Sequence, residues 1–163
     1  ALKHCNPAQT VLVEAESNKI GNIHVPPTFW AVMQNAPTIG VTAPINARIN
    51  FLQRDYAHMV NHPELIMPLL SKLKHRHSAQ QLAVWAEMID RKDWPSFIHS
   101  LLESHYDPSY QRSGNARLAR KMGSVEATTL DHDDIDRLAE AIMSKSASVT
   151  ANKAGSDSFK SDL

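Results

Sequence analysis

Apolar positions along the chain fall into three short runs with β character and a longer series of helical stripes. The runs are Thr10 to Glu14, Thr38 to Thr42 and about Val125 to Leu130, each dense in apolar or β-branched residues and bounded by turn-forming ones. Between the first two, Pro26 and Pro27 lead into a helix in which Phe29, Val32 and Met33 recur at helical spacing, and Ala36-Pro37 stops it. This strand, helix, strand order predicts a parallel crossover, because such a connection is too long for a hairpin.

From Ala47, the spacing of Ile49, Leu52, Tyr56, Met59 and Val60 predicts an amphipathic helix that ends near Asn61-His62-Pro63. A second helix runs through Leu65, Leu69, Leu70 and Leu73. Ser78 is the expected N-cap of a third, bearing Leu82, Trp85, Met88 and Ile89, and Asp93 caps a fourth through Phe97, Leu101 and Leu102. Asp131 caps a last helix, with Ile135, Leu138, Ala139 and Ile142 on one face. The expected result is a compact all-α block between the second and third strands. Residues 146 to 163 are rich in Ser, Ala, Asp and Lys with one aromatic, Phe159, and are expected to form a disordered tail.

Composition narrows the class. The 163 residues are 42% hydrophobic, enough for one domain with a real core. Lys plus Arg, 17, balance Asp plus Glu, 17, so no global field draws the chain to nucleic acid or an anionic membrane, and any anion binding must be local. A single cysteine, Cys5, excludes an internal disulfide framework and a cysteine-based zinc site, which suits a reducing cytoplasm. No apolar run approaches the roughly 20 residues needed to cross a bilayer, so a cytoplasmic location with no membrane partner is expected. The sequence begins with Ala1, and the expectation is a piece of a longer protein or a processed product.

Two segments carry candidate chemistry. Val11-Leu12-Val13-Glu14-Ala15-Glu16-Ser17 is an apolar run ending in two carboxylates and a hydroxyl, and ligands of open α/β sheets bind beyond the carboxyl ends of strands. The alternative is a pair of solvated turn carboxylates. The stretch Ser104-His105-Tyr106-Asp107-Pro108-Ser109-Tyr110 interrupts the helical pattern at Asp107-Pro108. There His105, Tyr106, Asp107 and Tyr110 could form a local polar hub, either a satisfied corner or part of a substrate site. Arg112, Arg117, Arg120 and Lys121 follow, as a solvated face or as contacts to RNA phosphate.

Other groups point less sharply. His58 and His62 stand at i and i+4, but no glutamate follows His58 as a zinc-protease helix requires, so no metal site is expected. His75 and His77 lie in a basic turn and are expected to face water. Cys5, beside His4, reads as a surface thiol. Trp30, Trp85 and Trp94 are expected as core anchors.

The order Val13-Glu14-Ala15-Glu16-Ser17-Asn18-Lys19-Ile20-Gly21, then Pro26, Met33, Ala36-Pro37, Arg48, Tyr56 and Trp85, and finally His105-Tyr106-Asp107-Pro108-Ser109-Tyr110, resembles the tRNA 2-selenouridine synthase family over about residues 10 to 142. The combination is specific, although its pieces are not. The resemblance implies an α/β fold: the C-terminal part of a P-loop nucleotide-binding domain spanning residues 1–145, with a partial parallel sheet, a large helical insertion and a helical C-terminus, predominantly helical. The intact family enzyme has a rhodanese-like domain with a catalytic cysteine. It converts wobble 2-thiouridine in tRNA to 2-selenouridine through an S-geranyl intermediate, using selenophosphate and geranyl diphosphate and involving a nucleotide with magnesium.

By the resemblance, Glu14, Glu16, Ser17 and Arg48 are candidates for the nucleotide or magnesium site. His105, Tyr106, Asp107 and Tyr110 fall on a tyrosine-rich corner, and Arg112, Arg117, Arg120 and Lys121 are candidates for tRNA phosphate. Asn18 departs from the pattern, where an arginine is expected, which puts in doubt an anion contact from that position. These 163 residues contain no Gly-x-x-x-x-Gly-Lys-Ser/Thr sequence, and Cys5 does not match the rhodanese cysteine. No catalytic residue and no cofactor is therefore expected in this chain alone. Its expected partners are tRNA and the missing rhodanese and phosphate-loop segments, in cis or in trans. The alternative is a noncatalytic tRNA-binding or partner-docking module derived from the same family.

Overall fold

The structure is a computed structural model, and it describes residues 6, 9–15, 17–111 and 120–157, with side chains through 147. Cys5, His4, Glu16, Arg112, Arg117 and Phe159 lie outside the described residues. Two compact units divide the chain. The described residues of Ala1–Thr42, Asn115–Glu126 and Ile135–Leu163 make the first, and those of Ala43–Gly114 and Ala127–Asp134 make the second.

In the first unit, residues 10–14 form no strand, and Val11, Leu12 and Val13 are about half exposed. An apolar run makes a strand only where a neighbour takes up its backbone hydrogen bonds, and no strand among the described residues pairs with this one. A hairpin follows instead. Strands β1 (Lys19–Ile20) and β2 (Ile23–His24) pair antiparallel across Gly21-Asn22. Gly21 stands at φ 60°, the left-handed conformation that a two-residue hairpin loop demands.

Helix α1 (Pro27–Asn35) begins on Pro27 at its first position and stops at Ala36. Phe29, Trp30 and Met33 are half-buried, whereas Val32 is 67% exposed. Strand β3 (Thr38–Thr42) stands where its pattern predicts. Its partner is β4 (Lys121–Glu126), paired in parallel with Ile39 opposite Gly123 and Val41 opposite Val125. The expected third strand is thus displaced toward the N-terminus, with Thr128 to Leu130 in a loop. The parallel crossover joins β3 to β4, not residues 10–14 to β3.

Helix α7 (His132–Asp157) closes the chain. Leu138 is buried, with Ala141 and Ile142 half-buried, while Ile135 and Ala139, expected on the apolar face, are exposed. The helix continues past Ser146, where the composition predicts a disordered tail, to Asp157. Ala147, Ala151, Lys153 and Ala154 are good helix formers, and propensity can carry a helix onward without a core. Residues 158–163 lie outside the described residues.

The second unit is the predicted helical block. Helices α2 (Ile45–Asp55) and α3 (Ala57–Asn61) break apart at Tyr56, where one continuous helix is predicted. A 3-10 turn at Pro63–Leu65, α4 (Met67–Ser71) and a second 3-10 turn at Lys72–His75 replace the predicted second helix. Ser78 caps α5 (Ala79–Asp90) by accepting from the Gln81 N–H, and Asp93 caps α6 (Trp94–Leu101) by accepting from the Ser96 N–H, both as expected. Their apolar faces meet in one core of Ile49, Ile66, Leu70, Trp85, Ile89 and Phe97 with their neighbours.

Trp85 has no exposed surface, and its indole N–H donates to Ser100 Oγ at 2.9 Å, so burial leaves no orphaned donor. Beyond α6 the chain widens into a π-helical segment, Leu102–Tyr106, and residues 107–111 are again helical. Asp107-Pro108 therefore does not break the helix. Proline lacks an N–H and crowds the carbonyl four residues back, and the looser π turn just before it relieves both problems.

The loop before α7 hangs on Asp134, which is buried and accepts from the backbone N–H groups of Thr128, Thr129 and Leu130 at 2.8–2.9 Å. Asp131 Oδ1 in turn accepts from the Asp134 N–H at 2.9 Å, the expected N-cap. That bond holds the Asp131 carboxyl below the ordinary carboxylate range. A lowered folded-state value means that the cap stabilises above the unfolded carboxylate pKa and fades as pH falls through the folded one. Asp131→Ala should lower the melting temperature at about pH 7, and the difference from the parent should shrink toward about pH 2. A pH-independent difference in thermal melts would show that the carboxylate charge is not what caps the helix.

Candidate functional site

Arg48, His105 and Asp107, three of the polar residues singled out in the sequence, meet partners within the helical unit that lie far away in the chain. Arg48, on the first turn of α2, reaches Asp107 at the start of the helical residues 107–111. Its guanidinium donates through Nη1 to Oδ2 at 3.0 Å and through Nη2 to Oδ1 at 2.5 Å. This two-pronged geometry is the strong form of an arginine–carboxylate pair. Both side chains are about 30% exposed, so the pair is neither dry nor fully screened. The hydrogen bond to Asp107 holds Arg48 above its ordinary value, against the lowering effect of burial, and the charges of Asp107 and Tyr110 add to it.

The π segment sets this geometry. One extra residue in a helical turn rotates everything after it by about 100° relative to an uninterrupted α-helix. His105 lies inside the segment and directs Nδ1 to within 2.9 Å of His77 Nε2. His77 packs its ring edge on Trp85, with centroids 4.8 Å apart, and so does not stand in water as predicted. The ring of Tyr106 meets that of His105 edge-on at 5.1 Å and stacks on that of Tyr110 at 6.4 Å. Ser104 Oγ donates to the Ser100 carbonyl and Ser109 Oγ to the His105 carbonyl.

The predicted hub is therefore not self-contained. Asp107 pairs with α2 and His105 with the turn before α5, while Tyr106 and Tyr110 are more than 40% exposed. A cavity of about 580 Å³ lies beside them, lined by aliphatic and aromatic side chains apart from Arg48 and His105. A smaller, polar one of about 490 Å³ is lined by Arg76, His77, Ser104, His105 and Ser109.

The remaining candidates fall elsewhere. Glu14 and Ser17 are exposed in the first unit, where Ser17 Oγ accepts from the Lys19 N–H at 3.0 Å. Arg120 donates to the Gln34 carbonyl at 3.0 Å, and Lys121 opens β4 as an exposed residue. His58 and His62 do not share a helix face, because His62 has left α3 and pairs with Glu64 at 3.1 Å. Among the described residues, no three His, Cys, Asp or Glu side chains come together to hold a metal ion. His77 and Asp134 are the residues that sequence reasoning missed. His77 owes its place to a partner 28 residues away, whereas the partners of Asp134 all lie within six residues, in a loop that the sequence predicts as a strand.

The Arg48–Asp107 pair should hold α2 to the helical residues around Asp107. Asp107→Ala, which leaves the guanidinium half-buried and unpaired, should cost about 1–3 kcal/mol in denaturant unfolding. Arg48→Ala should cost a similar amount, and the double variant should cost clearly less than the sum. Strict additivity would show that the two side chains do not interact in solution.

Residues 1–67 match the family model described as the tRNA 2-selenouridine synthase AAA domain. A tRNA 2-selenouridine synthase of Shewanella loihica is 28% identical over 137 residues, covering 68% of this chain and 37% of that protein. One of Chromohalobacter salexigens is 40% identical over 45 residues, 28% of this chain and 12% of that protein. The chain thus spans well under half the length of these curated relatives. No solved structure matches. By these matches, and by the motifs from Val13 to Gly21 and from His105 to Tyr110, the chain is similar to the tRNA 2-selenouridine synthases.

Proposed function

We propose that this chain serves as part of a tRNA 2-selenouridine synthase, supplying the C-terminal portion of a P-loop-type nucleotide domain and part of its tRNA-binding surface. The observation that carries this reading is the similarity over 137 residues to a protein of that name, with residues 1–67 matching the family model. The parallel β3–β4 pair and the dominance of helix agree with an α/β domain of that kind. In this reading the whole enzyme replaces the sulfur of wobble 2-thiouridine by selenium through an S-geranyl intermediate, with selenophosphate as the selenium source. The rhodanese cysteine and the phosphate loop come from other segments, in cis or in trans. No described helix is long and apolar enough to cross a membrane, and the proposed setting is the cytoplasm, where tRNA is modified.

Within that enzyme, Arg48 and Asp107 position the polar edge of the substrate site, and Arg117, Arg120 and Lys121 meet tRNA phosphate. Binding of tRNA by the chain should weaken as salt rises, with a slope of about 0.9 in log K per log salt for each duplex phosphate contacted. Replacing Arg117 and Arg120 together by Gln should reduce that slope without changing which tRNA is preferred. Filter binding across a salt series reads both, and a salt-independent affinity would assign the arginines to a solvated face instead.

A separate measurement addresses the nucleotide. Because the sequence contains no phosphate loop, the chain alone should bind neither ATP nor GTP at micromolar concentration in isothermal titration. In the intact synthase, Asp107→Asn keeps the shape of the side chain and removes its charge. Lost selenation with an unchanged melting temperature would support a role at the site. Parallel loss of both would make Asp107 structural, and the chain a scaffold or docking module.

A further inference from the structure

The larger cavity of the helical unit has walls unlike an ordinary surface cleft. Ile66, Leu70, Trp94 and Phe97 face it, and each is otherwise a core side chain, at most 8% exposed. Its mouth is ringed by Tyr56, Leu69, Tyr106 and Tyr110, all 42–45% exposed. Apolar surface is thus continuous from solvent to the core, an arrangement that costs stability unless something apolar covers it. A volume of about 580 Å³ lies within the range of small-molecule sites and is too small for a protein domain.

One end of the cavity is polar. Arg48 stands there with two of its guanidinium N–H groups donated to Asp107, and a guanidinium has five to give. The others can serve an oxygen acceptor beside the phenol of Tyr110. An apolar pocket with one charged donor at its edge is built for a molecule with two ends.

We propose that this cavity binds a small amphiphile, its hydrocarbon chain lying against Trp94, Phe97 and Leu70 and its oxygen head at Arg48. Two sources could supply such a ligand: a free fatty acid or related lipid, or the geranyl chain of the reaction proposed above. The site itself is inferred from its walls and holds for either.

Decanoate, titrated into the intact chain below its micellar range, is the probe. It should bind saturably and change tryptophan fluorescence, and Trp94→Phe should remove most of that change. Leu69→Glu, which places a carboxylate at the exposed mouth, should weaken decanoate at least tenfold while circular dichroism stays the same. Leu101→Trp, which narrows the cavity from within, should do likewise and guards against a misfolded first variant. Displacement of decanoate by geranyl diphosphate would assign the cavity to the prenyl group, and its failure to displace would assign it to a separate lipid; both results keep the site. Absence of saturable binding, or equal binding by parent and both variants, would overturn the inference and leave the family relationship untouched. A dimer that Leu69→Glu splits would overturn it too, since a second copy would then be the occupant.

Discussion

Two parallel strands cannot be joined by a tight turn, and this constraint organises the whole chain. From the end of β3 the backbone must travel back before it can enter β4 in the same direction. In most α/β proteins one helix makes that return. Here the connection is an entire helical unit, and a segment of that length is stable only if it buries a core of its own. Trp85 provides the centre of that core: a fully enclosed indole whose one polar atom is answered by Ser100, with Phe97 and His77 presented edge-on to its ring.

Around that core the polar residues act as long-range fasteners. Arg48 and Asp107 belong to helices far apart in the sequence, and their paired hydrogen bonds fix one against the other more narrowly than apolar packing does. His77 and His105 do the same between the turn before α5 and the π segment. The carboxylate of Asp134, with three backbone N–H groups converging on one oxygen, serves a different end: it holds a strandless loop whose amides would otherwise lack acceptors.

Much of this architecture could be read from the sequence wherever the signal is local. Ser78 and Asp93 announce helix starts through their own side chains, Pro27 and Ala36-Pro37 bracket α1, and the β-branched Thr38 to Thr42 is a strand. Reading failed where a partner decides. Residues 10–14 have strand composition but no pairing neighbour among the described residues, and β4 contains Gly123 and Ser124, poor strand formers that the ladder to β3 holds extended. Composition marked the stretch from His105 to Tyr110 as unusual, and the rings of that stretch do meet one another, but the distant partners of Asp107 and His105 could not be read from it. Asp107-Pro108 likewise signals a break by local rules, and a widened turn upstream absorbs it.

That widened turn has a consequence for how the site can change over time. Substitution within Leu102–Tyr106 alters one side chain and leaves the rest aimed as before. Tightening that turn to ordinary α-helical spacing without removing a residue would swing Asp107 and Tyr110 round by about 100° and take the carboxylate away from Arg48, whereas removing the one extra residue would give α-helical spacing with both still aimed as they are. The site thus depends on how that stretch winds as much as on its composition. Among descendants of this sequence, loss of the one extra residue is the length change in that stretch that the helix can absorb, and a further insertion or deletion would turn the carboxylate away.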